Sequence, residues 1–310
     1  WDISQALRDA NAGRPPAHAP RAALQKAAEM IAQAERPVIL AGHGVMISGA
    51  AGEVRQFAEK IDAPVASTLL GLGSLPASHP LSLGMMGMHG EAYCNIAIQN
   101  ADLLLAFGMR FDDRVTGNLR NYAPRARKIH IEIDPSEIDK NVTVDVSLVG
   151  DLKTVLADLN PLVGACNHAP WLAEIEAWRA ESRARDIQSW SHDGKLYVPH
   201  VVRAVWQATR GDAILTTDVG QHQMWAAQYY PIEQPYRFIT SGGSGTMGFG
   251  VPSAIGAWFA HPEREVWTIV GDGGFQMTQA ELATAVQEGA NIKIAIMNNN
   301  FLGMVRQWQE

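Results

Sequence analysis

The sequence contains little of several features that would assign it to particular classes. It has only two cysteines in 310 residues, Cys94 and Cys166, and no CxxC pair, so we expect neither a disulfide framework nor a zinc site. The low thiol content fits a reducing, cytoplasm-like compartment. The longest apolar runs are strand-sized, well short of the roughly 20 residues that cross a bilayer, so we predict no membrane segment. There is no Lys/Arg run and the net charge is −7, so nucleic acid is not an expected partner.

Apolar residues, by contrast, are abundant. Hydrophobic residues make up 47% of the chain and charged residues 18%, which allows a substantial core, and the length is typical of two domains. Short apolar segments alternate with helical ones, a pattern typical of parallel sheets covered on both faces. We therefore predict an α/β protein with two doubly wound parallel-sheet domains.

Two breaks divide the predicted elements. The first set has strands at residues 37–42, 64–68, 102–108, 128–133 and 144–149, and helices at residues 21–34, 50–61, 91–99 and 136–140. A polar helix at residues 171–190 is the predicted connector. The second set has strands at residues 213–217, 237–240, 266–270 and 293–298, and helices at residues 199–209, from 221, 251–260 and 278–288. The predicted units are a linker (1–20), a first domain (21–163), a connector (164–195) and a second domain (196–310).

One pair of motifs in the second domain predicts a metal-diphosphate site. Gly271-Asp272-Gly273-Gly274 directly follows a strand, and its glycines allow backbone N–H groups to approach a phosphate closely. Asn298-Asn299 ends the next strand, so both motifs should meet at one edge of the sheet. A carboxylate and an amide oxygen suit Mg²⁺. Taken alone, Gly-Asp-Gly-Gly is more typical of a tight turn and Asn298–Asn300 of a polar loop.

The two motifs together resemble the signature of thiamine diphosphate enzymes, Gly-Asp-Gly followed by a strand that ends in Asn-Asn. The loops Asp218-Val219-Gly220-Gln221-His222 and Gly242-Gly243-Ser244-Gly245-Thr246-Met247-Gly248 match that family too. The resemblance implies that the metal ligands are Asp272, Asn299 and the backbone carbonyl of Phe301. It implies thiamine diphosphate contacts from Val219, Gly220, Gln221, His222, Gly245, Met247, Gly271, Asp272, Gly273, Gly274, Asn299 and Met304.

Two of these assignments have an alternative at the level of single residues. By the resemblance, Met247 lies under the cofactor and forces its two rings into a V shape, which suits an apolar side chain that fills irregular space. A methionine is also a common core filler. His222 alone is more typical of a structural histidine with satisfied hydrogen bonds than of a catalytic one.

Motifs outside the diphosphate site resemble the acetolactate synthase family within the thiamine diphosphate enzymes. The most specific strings are Gly108-Met109-Arg110-Phe111-Asp112-Asp113-Arg114-Val115-Thr116-Gly117 and Leu302-Gly303-Met304-Val305-Arg306-Gln307-Trp308. The resemblance implies FAD in the first domain, held by Gly42, Gly44, Thr68, Leu69, Met88, His89, Gly108, Arg110, Asp112, Arg114, Val115, Glu132, Ile133 and Asp151. Gly-rich turns suit a pyrophosphate and Glu132 suits a ribose hydroxyl, although no Gly-x-Gly-x-x-Gly is present.

Three residues resemble the family's substrate-binding residues. Arg114 resembles the residue that holds the carboxylate of a second 2-keto acid, for which a planar guanidinium is suited. Trp308, with Met304, resembles the apolar wall that narrows the acceptor pocket. The alternative for Arg110 and Arg114 is a solvated charge cluster with Asp112 and Asp113. The alternative for Trp308 is core packing.

The activity implied by the resemblance is that of an acetolactate synthase. Pyruvate is decarboxylated and ligated to a second 2-keto acid, pyruvate or 2-ketobutyrate, at the start of branched-chain amino acid biosynthesis. It also implies a cytoplasmic homodimer or homotetramer, with a regulatory small subunit as a candidate partner. The alternatives are another thiamine diphosphate carboligase, such as glyoxylate carboligase or sulfoacetaldehyde acetyltransferase, and an inactive cofactor-binding fragment.

The family's activating glutamate has no counterpart in these residues. In such enzymes it lies in an N-terminal pyrimidine-binding domain contributed by the partner subunit. Because the sequence begins at Trp1 and ends at Glu310 within an amphipathic stretch, we expect a fragment without that domain. We therefore expect these residues on their own to be inactive.

Overall fold

The computed structural model describes residues 18–189 and 194–310 and contains two parallel sheets. The first sheet consists of β1 (Pro37–Ala41), β2 (Val65–Ser67), β3 (Ser82–Met85), β4 (Leu103–Phe107), β5 (Arg127–Glu132) and β6 (Val146–Val149). Its order is β3-β2-β1-β4-β5-β6. Every residue of β1 and β4 is buried, as expected for central strands covered on both faces. The strand order reverses between these two strands, where open α/β sheets bind ligands.

The helices of the first domain cover both faces of this sheet. They are α1 (Arg21–Gln33), α2 (His43–Ile47), α3 (Ala51–Lys60), α4 (Ala92–Asn100), α5 (Asp113–Thr116) and α6 (Leu152–Leu159). Alternate residues of β4 point into two separate cores: Leu103, Leu105 and Phe107 pack with Phe57 of α3, whereas Leu104 packs with the α4 side. This is the alternation that a strand imposes on its side chains. The connector helix α7 (Ala169–Ala184) covers the second core with Trp171.

The second sheet consists of β7 (Ile214–Thr217), β8 (Phe238–Ile239), β9 (Val266–Gly271) and β10 (Ile292–Met297), in the order β10-β9-β7-β8. Its helices are α8 (Val198–Thr209), α9 (Gln221–Tyr229), α10 (Gly250–Ala260), α11 (Asp272–Thr278), α12 (Glu281–Glu288) and α13 (Gly303–Gln309). The strands are parallel, and Gly271 lies opposite Met297. Asp272 and Asn298 therefore leave the sheet at the same edge, as predicted.

Several hydrogen bonds between described residues connect the two domains. The N–H of Ala77 donates to the carbonyl of Ile232 at 3.0 Å, and Ser78 donates through Oγ to Glu233 at 2.7 Å. Gln228 of α9 donates to the carbonyl of His89 at 2.6 Å. The space between the domains is thus bordered by loops from both sheets. None of the helices in the described ranges combines the length and apolar character needed to cross a membrane.

Both parallel sheets confirm the predicted fold class, but the helix predicted at residues 136–140 is wrong. Only a 3₁₀ turn, Pro135–Glu137, forms there. Asp139 has a φ of +57° and accepts a hydrogen bond from the N–H of Val144 at 2.8 Å, so the chain turns toward β6 instead of continuing a helix.

Other elements differ from the prediction in their bounds. The helix predicted at 278–288 is divided, and α11 already begins at Asp272. The connector helix ends at Ala184. Strand β3 and helix α6 were not predicted. Residues 1–17 of the predicted linker, and residues 190–193 within and after the predicted connector helix, lie outside the described residues.

Candidate functional site

The first cavity, which we call the diphosphate cavity, lies at the carboxyl ends of β7, β9 and β10 and has a volume of about 490 Å³. This size is within the ordinary range for small-molecule sites. Its walls include every residue that the sequence assigned to thiamine diphosphate: Val219, Gly220, Gln221, His222, Gly245, Met247, Gly271, Asp272, Gly273, Gly274, Asn299 and Met304. The predicted ligand-binding loops are therefore brought together, although they come from four parts of the second domain.

The glycines of the turn after β9 let it lie close to neighbouring side chains. A Cβ on Gly274 would lie 2.2 Å from Oδ2 of Asp218, and a Cβ on Gly273 would lie 2.7 Å from Cδ2 of Leu302. Gly271 caps α11, so Asp272 occupies its first turn, where a carboxylate is favoured. The sequence placed these residues in a turn before a later helix, whereas they form the helix's first turn.

The predicted metal ligands lie around the same edge of the sheet. Asn299 accepts a hydrogen bond through Oδ1 from the N–H of Phe301 at 3.0 Å, and Asn298 accepts one from the N–H of Asn300 at 3.1 Å. These bonds fix the loop after β10. Across the described chain, no cluster of three or more His, Cys, Asp and Glu side chains could hold a metal. Mg²⁺ binds carboxylate, amide and carbonyl oxygens, a combination that such clusters do not include. The ligand set of Asp272, Asn299 and the Phe301 carbonyl stays a prediction.

His222 supplies an unpartnered polar group at this cavity. Its side chain is buried, and Nε2 has no hydrogen-bond partner among the described residues. Burial lowers its pKa to about 4, against the opposing effects of the Asp218 carbonyl and the Asp272 charge. The ring is therefore neutral near neutral pH. An unsatisfied buried nitrogen beside a glycine-rich turn fits a polar ligand better than a histidine that serves only the core.

The lowered pKa of His222 predicts a dependence of stability on pH. Between its ordinary pKa of 6.5 and its folded value of about 4, the unfolded chain binds a proton that the folded chain does not. The free energy of unfolding should therefore decrease as the pH is lowered through this window, by about 3 kcal/mol in total, of which about 2 kcal/mol is lost by about pH 5. Urea unfolding of the protein without ligand, at about pH 7 and about pH 5, measures this loss. His222→Asn should reduce the loss, and the exposed control His261→Asn should not; equal losses in both variants would contradict the prediction.

Asp218 is a residue whose part in the site the sequence did not reveal. It is 1% exposed and accepts hydrogen bonds from the N–H groups of Val219 at 2.6 Å and Gly248 at 2.9 Å. Burial raises the pKa of its carboxyl, and the backbone N–H groups oppose that rise. Asp218 thus joins the loop after β7 to the loop that carries Met247. Its sequence signals were its position directly after a buried strand and its place at the start of the loop at residues 218–222, which resembles the family.

The second cavity, which we call the interdomain cavity, lies between the two sheets and has a volume of about 780 Å³. Its walls include all but one of the residues assigned to FAD: Gly44, Thr68, Leu69, Met88, His89, Gly108, Arg110, Asp112, Arg114, Val115, Glu132, Ile133 and Asp151. Gly42 is the exception among the described residues. A Cβ on Gly42 would lie 2.1 Å from the carbonyl oxygen of Gly108, so Gly42 allows the ends of β1 and β4 to approach each other behind the wall.

Three carboxylates line this cavity, and they differ in whether one of their oxygens lacks a hydrogen bond. Glu132 uses Oε1 to accept from the N–H groups of Ile133 at 2.9 Å and Asp134 at 3.3 Å. Its Oε2 lies 3.9 Å from Nε2 of His130, too far for a hydrogen bond. Asp112 and Asp151 cap α5 and α6 by accepting from backbone N–H groups. Helix capping is sufficient to explain the aspartates at 112 and 151, whereas the Glu132 carboxylate is suited to accept a hydrogen bond from a ligand hydroxyl.

The predicted substrate residues also line the interdomain cavity. Arg114 is largely exposed, and its Nε lies 4.0 Å from Asp113, so its guanidinium remains accessible. Burial and then the charge of Arg114 lower the pKa of His89. Trp308 is 66% exposed, so the described residues do not bury it in a core. Met304 lines both cavities.

The geometry of the two cavities agrees with comparisons between this chain and known protein families. Residues 24–159 match the model of the thiamine pyrophosphate enzyme central domain, and residues 218–310 match the thiamine pyrophosphate enzyme C-terminal TPP binding domain. The chain belongs to the thiamine pyrophosphate enzyme family. The two matches follow the order of the two sheets, so each parallel sheet corresponds to one domain of this family.

Three curated relatives of this chain are named as acetolactate synthases. The chain is 41% identical to the acetolactate synthase isozyme 3 large subunit of Escherichia coli, over 100% of the chain and 54% of that protein. It is 46% identical to acetolactate synthase of Mycobacterium bovis, over 92% of the chain and 47% of that protein. It is 46% identical to the probable acetolactate synthase large subunit of Methanocaldococcus jannaschii, over 92% of the chain and 49% of that protein. The chain spans about half the length of the curated relatives it matches.

Proposed function

We propose that the whole protein is an acetolactate synthase that decarboxylates pyruvate and ligates the resulting two-carbon unit to a second 2-keto acid. The observation that carries this proposal is the junction of the two cavities. Val219, Gly220, Gly245 and Met304 line both of them. A reacting group at the end of the diphosphate cavity would therefore face a second space, bordered by Arg114 and Trp308, in which an acceptor can bind.

The residues of the diphosphate cavity fit Mg²⁺ and thiamine diphosphate. Asp272, Asn299 and the Phe301 carbonyl would hold the metal, which accepts hard oxygen ligands. The glycine-rich turn gives the diphosphate close access to the backbone, and His222 offers the unpartnered Nε2. Bound thiamine diphosphate supplies a nucleophilic carbon and an electron sink for decarboxylation. The chain's own residues bind and orient it at the edge of the sheet.

The substrate residues act at the interdomain cavity. The accessible guanidinium of Arg114 would bind the carboxylate of the acceptor through two parallel hydrogen bonds. Trp308 and Met304 would contact its alkyl chain, so the apolar wall favours 2-ketobutyrate or pyruvate over a polar acceptor. The substrates proposed for the whole protein are pyruvate and 2-ketobutyrate.

FAD is the ligand that we propose for the rest of the interdomain cavity. Gly44 and Gly108 lie where the strand order reverses, the usual position of a nucleotide in such a sheet. A Cβ on Gly44 would lie 2.6 Å from Cα of Gly108, so glycine lets these two turns lie close together, and both of them line the interdomain cavity. Glu132 would accept a hydrogen bond from a ribose hydroxyl through Oε2.

Replacing Glu132 with Gln tests the flavin site. The amide NH₂ would replace the free oxygen and cannot accept the ribose hydroxyl, so we expect FAD affinity to fall about tenfold or more. A flavin-fluorescence titration of the FAD-free protein measures the affinity. Glu29→Gln on the exposed face of α1 is the matched control, with the same loss of charge. Equal affinities for the two variants would place the ribose elsewhere.

A product assay tests the proposed function. The whole protein, with Mg²⁺, thiamine diphosphate and FAD, should form acetolactate from pyruvate and acetohydroxybutyrate when 2-ketobutyrate is added. Product from glyoxylate or sulfoacetaldehyde, without acetolactate, would instead assign it to another carboligase. We further propose a cytoplasmic homo-oligomer with a regulatory small subunit, because several of the relatives are named as large subunits. Size-exclusion chromatography and co-purification measure the oligomeric state and the small-subunit partner.

A further inference from the structure

The loop that carries Met247 to the diphosphate cavity is held from two sides at the next residue. On one side, the carboxylate of Asp218 accepts a hydrogen bond from the N–H of Gly248, with Oδ1 at 2.9 Å and Oδ2 at 3.1 Å. On the other side, Thr278 donates through Oγ1 to the carbonyl of Gly248 at 2.9 Å. The N–H belongs to the peptide that joins Met247 to Gly248, so the Asp218 bond acts directly on the backbone of Met247.

The packing around Gly248 leaves little freedom for this arrangement. Gly248 is buried, with a φ of +89°, a conformation that favours glycine. A Cβ on it would lie 2.8 Å from Cγ2 of Thr278. Thr278 ends α11, the helix that begins at Asp272. The loop is therefore fixed between the end of β7 and the helix that follows the glycine-rich turn.

Neither Asp218 nor Thr278 belongs to the described lining of the diphosphate cavity or the interdomain cavity. Asp218 is 1% exposed, so it cannot meet a ligand directly. Met247, by contrast, lines the diphosphate cavity. Any effect of the two residues on a bound ligand is therefore indirect: Thr278 acts on the loop at Gly248, and Asp218 acts both on that loop and on the N–H of Val219.

We propose that Asp218 and Thr278 are positioning residues that fix Met247 against bound thiamine diphosphate. The inference rests on the proposed function, because it requires that this cofactor occupies the diphosphate cavity. An aspartate suits this place better than an asparagine because both of its oxygens face the N–H of Gly248. An amide would turn an NH₂ group toward one of these contacts, donor against donor.

Thr278→Val and Asp218→Asn test the proposal in the whole protein. Isothermal titration with thiamine diphosphate in the presence of Mg²⁺ should show an affinity about 3- to 10-fold weaker for Thr278→Val. For Asp218→Asn the expected loss is about 10- to 100-fold. Thr278→Ser keeps the hydroxyl and should restore affinity. Thr209→Val is the matched control, since Thr209 is buried and donates to the Val205 carbonyl at 2.8 Å but lies on neither cavity wall as described.

A double-mutant cycle with Met247→Ala separates positioning from general destabilisation. If Thr278 acts through Met247, adding Thr278→Val to Met247→Ala should cause little further loss of affinity. An undiminished further loss, or a Thr278→Val protein that binds the cofactor like the wild type, would overturn the proposal. Failure of the wild-type protein to bind would overturn the proposed function as well. Melting temperatures without cofactor identify a misfolded Asp218→Asn protein, and Thr278→Val then decides the question.

Discussion

Asp272→Ala is expected to weaken the binding of Mg²⁺ and thiamine diphosphate by at least about 100-fold, because it removes the only carboxylate among the proposed metal ligands. Gly271 lies opposite Met297 in the pairing of β9 with β10, so Asp272 and the Asn298–Asn299 loop diverge from adjacent strand ends. No other acidic side chain lines the described part of the diphosphate cavity. The measurement is isothermal titration with the cofactor at fixed Mg²⁺.

A matched control separates this loss from an effect of net charge or folding. Glu281→Ala also removes a carboxylate from the first turn of a helix, but Glu281 is absent from the described cavity walls. It should bind the cofactor like the wild type. Without cofactor, Asp272→Ala should lose only about 0.3–1 kcal/mol of stability, the usual effect of a carboxylate at a helix N-terminus. Unchanged cofactor affinity in Asp272→Ala would place the metal elsewhere.

The diphosphate cavity was accessible from the sequence because it depends on where strands end. A parallel sheet brings its carboxyl ends to one edge, so Gly271-Asp272 and Asn298-Asn299 could be placed together once β9 and β10 were recognised as neighbours. Asp218 was a different case. Its contact with Gly248 joins residues 30 apart, and nothing in the spacing of two loops reveals which buried oxygen faces which N–H group.

The errors in the fold have local causes. Asp139 adopts a positive φ and accepts from Val144, and this turn chemistry overrides the helical spacing of residues 136–140. Strand β3 has only four residues, with Gly84 at a φ of +75°, so no apolar run marks it. Helix α6 could have been predicted, since Leu152, Val155, Leu156 and Leu159 follow helical spacing behind the cap Asp151.

Gly42→Ala is expected to destabilise the first domain by about 3 kcal/mol or more, because a rigid backbone atom occupies the space that the methyl group needs. The added Cβ would lie 2.1 Å from the Gly108 oxygen and 2.6 Å from Cβ of Met109. Neither atom belongs to the end of a flexible side chain, so β1 and β4 would have to separate at their carboxyl ends. Differential scanning calorimetry measures the change as a lower melting temperature.

Gly52→Ala is the control for this substitution, and we expect it to stabilise the protein. Gly52 lies in α3, and no described atom lies within 4 Å of the position that a methyl group would occupy there, so alanine should stabilise by about 0.5–1 kcal/mol.

Melting with and without flavin also separates two roles for Gly42. If Gly42 contacts FAD, as the family resemblance implies, Gly42→Ala should change melting only when flavin is bound. If Gly42 instead allows β1 and β4 to lie close together, Gly42→Ala should also lower the stability of the flavin-free protein. We expect this second result, because Gly42 lies behind the wall of the interdomain cavity.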